Sequence, residues 1–110
     1  WENDFLEEAI VAYNKAINLD PEYSIAYNNL GVIYLDGIGN IREASRLFEK
    51  SIQINPAYTL ANFNLARAYQ AMGNLTDAAE FYQKAFELNK SSNDIDEEDI
   101  MTRLHKLFEV

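Results

Sequence analysis

Two asparagines at equivalent places in the sequence carry the side chains whose spacing most clearly suggests a binding chemistry. Asn29 and Asn64 lie 35 residues apart, and each directly precedes a leucine. An amide side chain offers both a hydrogen-bond donor and an acceptor. If the elements that carry these residues stack, the two amides form a row that can hold an extended peptide backbone. The alternative is that each asparagine makes only local hydrogen bonds.

Catalytic chemistry has much weaker support. The single histidine, His105, lies near Arg103 and Lys106, and no serine or cysteine stands at a spacing that suggests a catalytic partner. The abundant carboxylates are typical of helix surfaces, where they pair with a cation four residues on, as in Glu80 and Lys84. No glycine-rich phosphate loop is present. We therefore predict no enzyme activity, no catalytic residue, no metal site and no cofactor.

The overall composition is that of one small globular domain. The 110 residues are 48% hydrophobic and 25% charged, which is ordinary for a folded chain. The formal net charge of −9 opposes binding to the phosphate backbone of nucleic acids. No apolar run approaches the roughly 18 residues of a membrane span, and no signal-peptide pattern is seen. We expect neither nucleic acid nor membrane as a partner, and the absence of cysteine leaves the compartment open.

The elements that would position these side chains follow from an internal repeat of 34 to 35 residues. Pro21 recurs at Pro56 after a similar run of residues. A small–aromatic–small pattern occurs three times, as Ala9-Tyr13-Ala16, Ala44-Phe48-Ser51 and Ala78-Tyr82-Ala85. The spacing between equivalent residues of successive copies changes from 35 to 34, because the turn at 36–40 has one residue more than the turn at 71–74. Three copies in register indicate a repeat protein.

Each full copy is predicted to consist of two helices. Apolar residues recur at helical spacing after each proline. Gly37 and Gly39 separate the two helices of the first copy, and Asn40 followed by Glu43 is typical of a capped helix start, with Asn74 as the equivalent cap. The predicted helices span about 4–19, 22–36, 40–54, 57–71, 75–88 and 97–109.

These copies resemble the tetratricopeptide repeat (TPR) family, whose unit is a 34-residue helix–turn–helix. In the first full copy the matching residues are Tyr27, Leu30-Gly31, Tyr34, Ala44, Phe48, Ser51 and Pro56. The second copy departs at Asn62, where a large aromatic belongs and Phe63 compensates, and at Lys90, where proline belongs. The resemblance covers about 4–90. It implies an all-α fold, in which about six helices form TPR-type hairpins in a right-handed α-solenoid.

Two sets of residues are expected in the interior of such a stack. Small residues let neighbouring helices approach closely: Gly31, Ala44, Ala66 and Ala78. Three tyrosines are interpreted as core residues rather than as platforms for a ligand: Tyr34, Tyr69 and Tyr82.

The chain divides into four segments of one structural domain. Residues 1–21 match only the second helix of a truncated repeat, so we expect a fragment cut from a longer array. Residues 22–56 and 57–90 are full repeats. Residues 91–110 form an acidic loop and a C-terminal helix, favoured as a cap. The alternative is a third repeat, because Met101, Leu104 and Phe108 have the required spacing, but His105 then fits badly at a small-residue position.

The resemblance implies a non-catalytic protein–protein interaction module that binds a peptide or partner helix in a concave groove lined by first helices. The groove residues expected to be exposed are Asn28, Asn29, Val32, Leu35, Phe63, Asn64, Arg67 and Gln70. Arg103 and Lys106 extend this groove if the last helix is a third first helix. A substrate-recruiting segment of a larger enzyme is an alternative. The acidic run at 94–99 would suit a basic partner, although such runs are usually solvated.

A carboxylate clamp for a C-terminal peptide is a further alternative that the resemblance raises. In TPR domains of this kind, asparagines and an arginine at the positions of Asn29, Asn64 and Arg103 act together with lysines. Here Ile25 and Asp99 stand at the lysine positions. Without those cations the clamp would be partial at most.

The first helix is also expected to mediate self-association. If its own partner helix is missing, Phe5, Ile10, Tyr13 and Ile17 have one neighbour fewer than in an intact array. The fragment would then stack end to end or exchange helices in a dimer. Alternatively, Trp1 folds back over these residues and the chain stays monomeric.

Overall fold

The computed structural model describes residues 2–109, and 81% of them are helical, with no strand. Its six helices are α1 (Glu2–Leu19), α2 (Ser24–Val32, continued by a π-helical segment at Ile33–Ile38), α3 (Ile41–Ile54), α4 (Thr59–Ala71), α5 (Leu75–Ser92) and α6 (Glu97–Lys106). The predicted all-α fold is confirmed. Trp1, which was considered as a cover for α1, lies outside the described residues.

The helices pack mainly on their neighbours in the chain. Helices α2 and α3 form one hairpin, α4 and α5 form the next, and α3 packs on α4 between them. Helix α1 packs on α2, and α6 packs on α5. Such a chain of local contacts is the basis of a solenoid. The first helices of the two hairpins, α2 and α4, also contact one another directly.

Small residues at the helix crossings permit this packing, as predicted. A Cβ atom at Gly31 would lie 2.5 Å from Cε1 of Phe48, which is closer than van der Waals contact allows. Ala44, Ala66 and Ala78 are completely buried. Tyr82 is also completely buried, while the other two tyrosines expected in the core are half-buried and pack against a cluster around Phe48.

The extra residue of the first full copy lies in the π-helical segment. The backbone N–H of Asn40 donates to the carbonyl of Tyr34 at 2.8 Å, whereas in the second copy Asn74 N–H reaches the carbonyl of Tyr69 at 2.9 Å. The first connection therefore spans six residues and the second only five. The wider π-helical turn accommodates the additional residue. Consequently this helix runs to Ile38 and not, as predicted, to about residue 36.

Helix ends differ from the sequence predictions at three places. Asn40 caps α3 by accepting a hydrogen bond from Glu43 N–H at 3.2 Å, as predicted, but the side chain of Asn74 makes no such bond. Helix α5 continues to Ser92 because no proline follows it, and it ends at Asn93 with a positive φ of 53°. Helix α6 ends at Lys106, three residues earlier than expected.

Candidate functional site

The predicted groove residues lie on α2 and α4, the first helices of two successive hairpins, and on α6. We call the surface formed by these three helices the groove. Within residues 2–109 no group of three or more potential metal-ligating side chains is found. None of the helices in this range is long and apolar enough to cross a membrane.

A hydrogen bond between side-chain amides joins α2 to α4. Asn64 Nδ2 donates to Asn28 Oδ1 at 3.0 Å, and Asn28 Nδ2 in turn donates to Asn29 Oδ1 at 3.4 Å. The expected direct row of Asn29 and Asn64 is thus replaced by a row in which Asn28 stands between them. The reason is geometric. The face of α4 that contacts α2 carries different repeat positions from the face of α2 that contacts α4, so Asn64 meets Asn28 and not its equivalent, Asn29.

The two inner amides of this row are not exposed. Asn28 is 3% exposed and Asn64 is 6% exposed, whereas Asn29 is half-buried. The expectation that Asn28 and Asn64 face solvent is therefore wrong. Burial of amides requires that their polar atoms find partners, and no buried side-chain nitrogen or oxygen among the described residues lacks one. These two amides connect α2 to α4, and Asn28 in turn contacts Asn29.

Arg67 continues the row on the other side of Asn64. Its Nη1 donates to Asn64 Oδ1 at 3.2 Å, and its Nη2 donates to Asp36 Oδ1 at 2.7 Å. The Arg67 side chain remains 24% exposed. A continuous polar chain therefore runs from Asn29 through Asn28, Asn64 and Arg67 to Asp36. Asp36 was not predicted as a groove residue, although its place in the longer first copy was an available signal.

Aromatic packing builds the part of the groove next to α6. Phe63, expected to be exposed, is only 7% exposed, because its ring packs edge-to-face on Tyr82 with centroids 5.7 Å apart. The Arg103 guanidinium lies 5.3 Å from the centroid of Phe63. Such a contact between a cation and an aromatic face is favourable. Phe63 thus serves as a buried support for Arg103.

Gln70 is oriented from the opposite helix of its hairpin. The hydroxyl of Tyr82 donates to Gln70 Oε1 at 2.7 Å. Burial raises the pKa of Tyr82, and the nearby Arg103 guanidinium opposes that shift. The hydroxyl therefore stays protonated near neutral pH and remains a donor. This contact engages the oxygen of the Gln70 amide and not its NH₂ group.

A cavity of about 440 Å³ lies at this end of the groove. It is lined by Leu35, Asp36, Gly39, Ile41, Arg67, Gln70, Ala71 and Arg103. Two guanidinium groups, the carboxylate of Asp36, one amide and an apolar wall thus converge on one space. Such a mixture suits a side chain that has an apolar stem and a polar end.

The remaining predicted residues lie at the margins of this surface. Val32 is half-buried and packs against the cluster around Phe48. Arg103 Nε donates to Asp99 Oδ1 at 3.1 Å, which pairs the two residues along α6. Lys106 is exposed at the last position of α6.

Comparisons with known proteins identify the family. Models described as TPR repeat and as tetratricopeptide repeat match residues 6–37 and 39–95, respectively. No curated protein matches the sequence. Since the second model spans more than half of the chain, the chain belongs to the tetratricopeptide repeat family. TPR domains are generally non-catalytic, and this membership supports a protein–protein interaction module.

Several solved structures share the fold. The TPR2B domain of yeast Sti1, in a complex with pHsp70, has a TM-score of 0.86 and 22% identity over 96% of this chain and 84% of that chain. The first TPR of Spaghetti (RPAP3), bound to the HSP90 peptide SRMEEVD, has a TM-score of 0.82 and 23% identity over 96% and 79%. MamA has 32% identity and a TM-score of 0.74 over 84% of this chain, which spans 53% of the MamA chain.

Proposed function

We propose that this tetratricopeptide repeat chain is a non-catalytic interaction module that holds an extended peptide segment in the groove of α2, α4 and α6. The observation that carries the proposal is the polar chain from Asn29 to Asp36 across two successive hairpins. Two residues of this polar chain, Asn29 and Arg67, are half-buried and remain partly accessible. Gln70, which lies beside the chain, is half-buried as well. These side chains contact the peptide backbone, while buried Asn28 and Asn64 position them.

The structural neighbours support this assignment by analogy of fold. Two of them are complexes, one with pHsp70 and the other with an HSP90 peptide. Their sequence identity of 22–23% carries the fold alone. The identity of the ligand is therefore inferred from the residues of this chain and not from those complexes. The same groove would equally serve a substrate-recruiting segment of a larger enzyme.

A partial carboxylate clamp is the second candidate, and one observation favours it. Arg67 and Arg103 line the same cavity, in which a C-terminal carboxylate would find two guanidinium groups. Asp99 weakens this candidate, because it stands at a lysine position of the clamp and its carboxylate pairs with Arg103. Ile25 stands at the other lysine position and is 46% exposed. We rank the clamp below backbone recognition by amides.

The helix positions support the proposed division of the chain into segments. Helix α1 falls within 1–21, the α2–α3 hairpin within 22–56, and α4 with most of α5 within 57–90. In segment 91–110, Ile100 of α6 and Leu107, which follows α6, are buried in one cluster with Ala78, Tyr82 and Ala85 of α5. We retain α6 as a cap whose outer face is exposed and charged.

A peptide array followed by fluorescence anisotropy tests the proposed function. The array presents unrelated decapeptides of varied charge and hydropathy, and the tightest binder becomes the probe. Since each lost hydrogen bond weakens binding by about fivefold, the double variant Asn29→Ala/Arg67→Ala should bind the probe roughly 25-fold more weakly. Gln53→Ala is the matched control, because it removes an exposed amide on α3. Unchanged binding by the double variant contradicts the proposal.

A further inference from the structure

We propose that Asp36 is an internal anion that determines the charge preference of the groove, so that it accepts neutral or basic peptide segments and rejects acidic ones. This inference rests on the proposed function, because it names the class of partner for the same groove. It differs from a carboxylate clamp, which would favour an acidic ligand.

The geometry of the Arg67 guanidinium carries the first step. Asp36 Oδ1 lies 2.7 Å from Arg67 Nη2, and Asn64 occupies Nη1 at 3.2 Å. A carboxylate from 31 residues away in the chain thus occupies the place that the carboxylate of an acidic ligand would take. An acidic ligand that approaches Arg67 therefore meets a guanidinium whose charge Asp36 already balances, and the Asp36 carboxylate repels it.

The local backbone explains why Asp36 reaches this position. Asp36 lies in the π-helical segment that contains the extra residue between Tyr34 and Asn40. π-Helical turns inside α-helices frequently occur at functional sites. In the second copy, the residue equivalent to Asp36 is Ala71, so that copy supplies no equivalent acid. The carboxylate in the groove is a specific property of the longer first copy.

The second arginine of the cavity is neutralised in a similar way. Arg103 Nε lies 3.1 Å from Asp99 Oδ1. Both cations that line the cavity therefore already have an acidic partner. Asp36 itself remains 49% exposed, so a lysine or arginine of a ligand can approach it. The formal net charge of −9 acts in the same direction, because it attracts basic segments and repels acidic ones.

Charge variants of one peptide test the inference. The probe selected from the array is remade with two central residues as Lys, as Gln and as Glu, and each version is titrated by fluorescence anisotropy. For the native chain, we expect the Lys version to bind about fivefold more tightly than the Glu version, as for one exposed charge pair. Asp36→Asn should bring the two affinities close together, and Asp36→Glu should restore the preference.

Glu43→Gln is the matched control for a change in net charge. Glu43 pairs with Arg46 at 2.6 Å on α3, outside the groove, and its replacement alters the net charge as Asp36→Asn does. The control should keep the native preference. Circular dichroism melting establishes that each variant is folded before titration.

The outcomes separate this inference from the proposed function. A native chain that binds the Glu version as tightly as the Lys version overturns the inference. So does a Glu43→Gln variant that changes the preference as much as Asp36→Asn, because net charge alone would then be responsible. In either case the proposed function stands if Asn29→Ala/Arg67→Ala still loses the probe. If that double variant binds normally, the groove assignment fails and the inference fails with it.

Discussion

Asn64 donates a hydrogen bond to Asn28 at 3.0 Å and thereby connects the first helices of two successive repeats. Both amides are buried, so this contact contributes to the packing of the stack as well as to the groove. Asn29, which directly follows Asn28, is half-buried and presents its amide at the surface. Adjacent asparagines on one helix therefore have different roles.

This difference gives a prediction on stability. Asn64→Ala leaves the buried Oδ1 of Asn28 without its donor, so the free energy of unfolding should fall by about 1–3 kcal/mol. Asn29→Ala should cost less than Asn64→Ala, because the bond that Asn29 accepts from Asn28 is long, at 3.4 Å, and Asn29 itself is only half-buried. Urea denaturation of both variants measures the two values. Equal, small losses would show that the Asn28–Asn64 contact is not structural.

The departure from the family pattern at Asn62 gives a second prediction. Asn62 Nδ2 donates to the carbonyl of Pro56 at 3.2 Å, and the equivalent Tyr27 donates through its hydroxyl to the equivalent Pro21 at 3.3 Å. Asn62 is only 2% exposed, whereas the bond of Tyr27 is solvent-exposed. Asn62→Leu should therefore cost about 1–3 kcal/mol.

Tyr27→Phe is the matched control for this substitution. It removes the equivalent hydrogen bond where water can replace the donor, so we expect a loss below about 0.5 kcal/mol. Thermal melts of the two variants compare the positions directly. A loss for Tyr27→Phe as large as that for Asn62→Leu would contradict the role assigned to the burial of Asn62.

The contact of Gly31 with Phe48 gives a third prediction. Because an added Cβ would lie 2.5 Å from the Phe48 ring, Gly31→Ala should destabilise the fold by about 1–3 kcal/mol through overpacking. Phe48→Leu in the same chain should recover part of that loss by making room. A double-mutant cycle measures the coupling. If the effects of Gly31→Ala and Phe48→Leu on stability are simply additive, the overpacking does not arise from the contact between these two residues.

The surface of α1 gives a fourth prediction, on self-association. None of its residues from 4 to 19 is fully buried, and Phe5, Val11 and Leu19 are 73%, 64% and 83% exposed. We expect a second copy of the chain to cover this helix, because burial of apolar surface favours association. Sedimentation velocity across a concentration series should show a dimer or larger species. Ile10→Glu should restore the monomer, and a monomer at every concentration in the native chain would be the contrary result.

The fold could be predicted well from the sequence, because apolar and small residues recur at helical spacing in each copy of the repeat. Positions such as Gly31 and Ala44 have the same local role in every copy, so the pattern determines the packing. The groove was predicted less well, because residues that face each other across two helices are not equivalent in the repeat. Thus Asn28, and not Asn29, meets Asn64. Asp36 was missed because its position depends on how one extra residue is accommodated in three dimensions.

Side-chain amide resonances give the most direct measurement of the central claim. In a ¹H–¹⁵N spectrum titrated with the selected peptide, the NH₂ signals of Asn29 and Gln70 should shift, since both side chains lie at the groove. The NH₂ signals of Gln53 on α3 and Gln83 on α5, which are exposed elsewhere, should stay in place. Shifts confined to Gln53 or Gln83, with Asn29 and Gln70 unaffected, would contradict peptide binding in the groove.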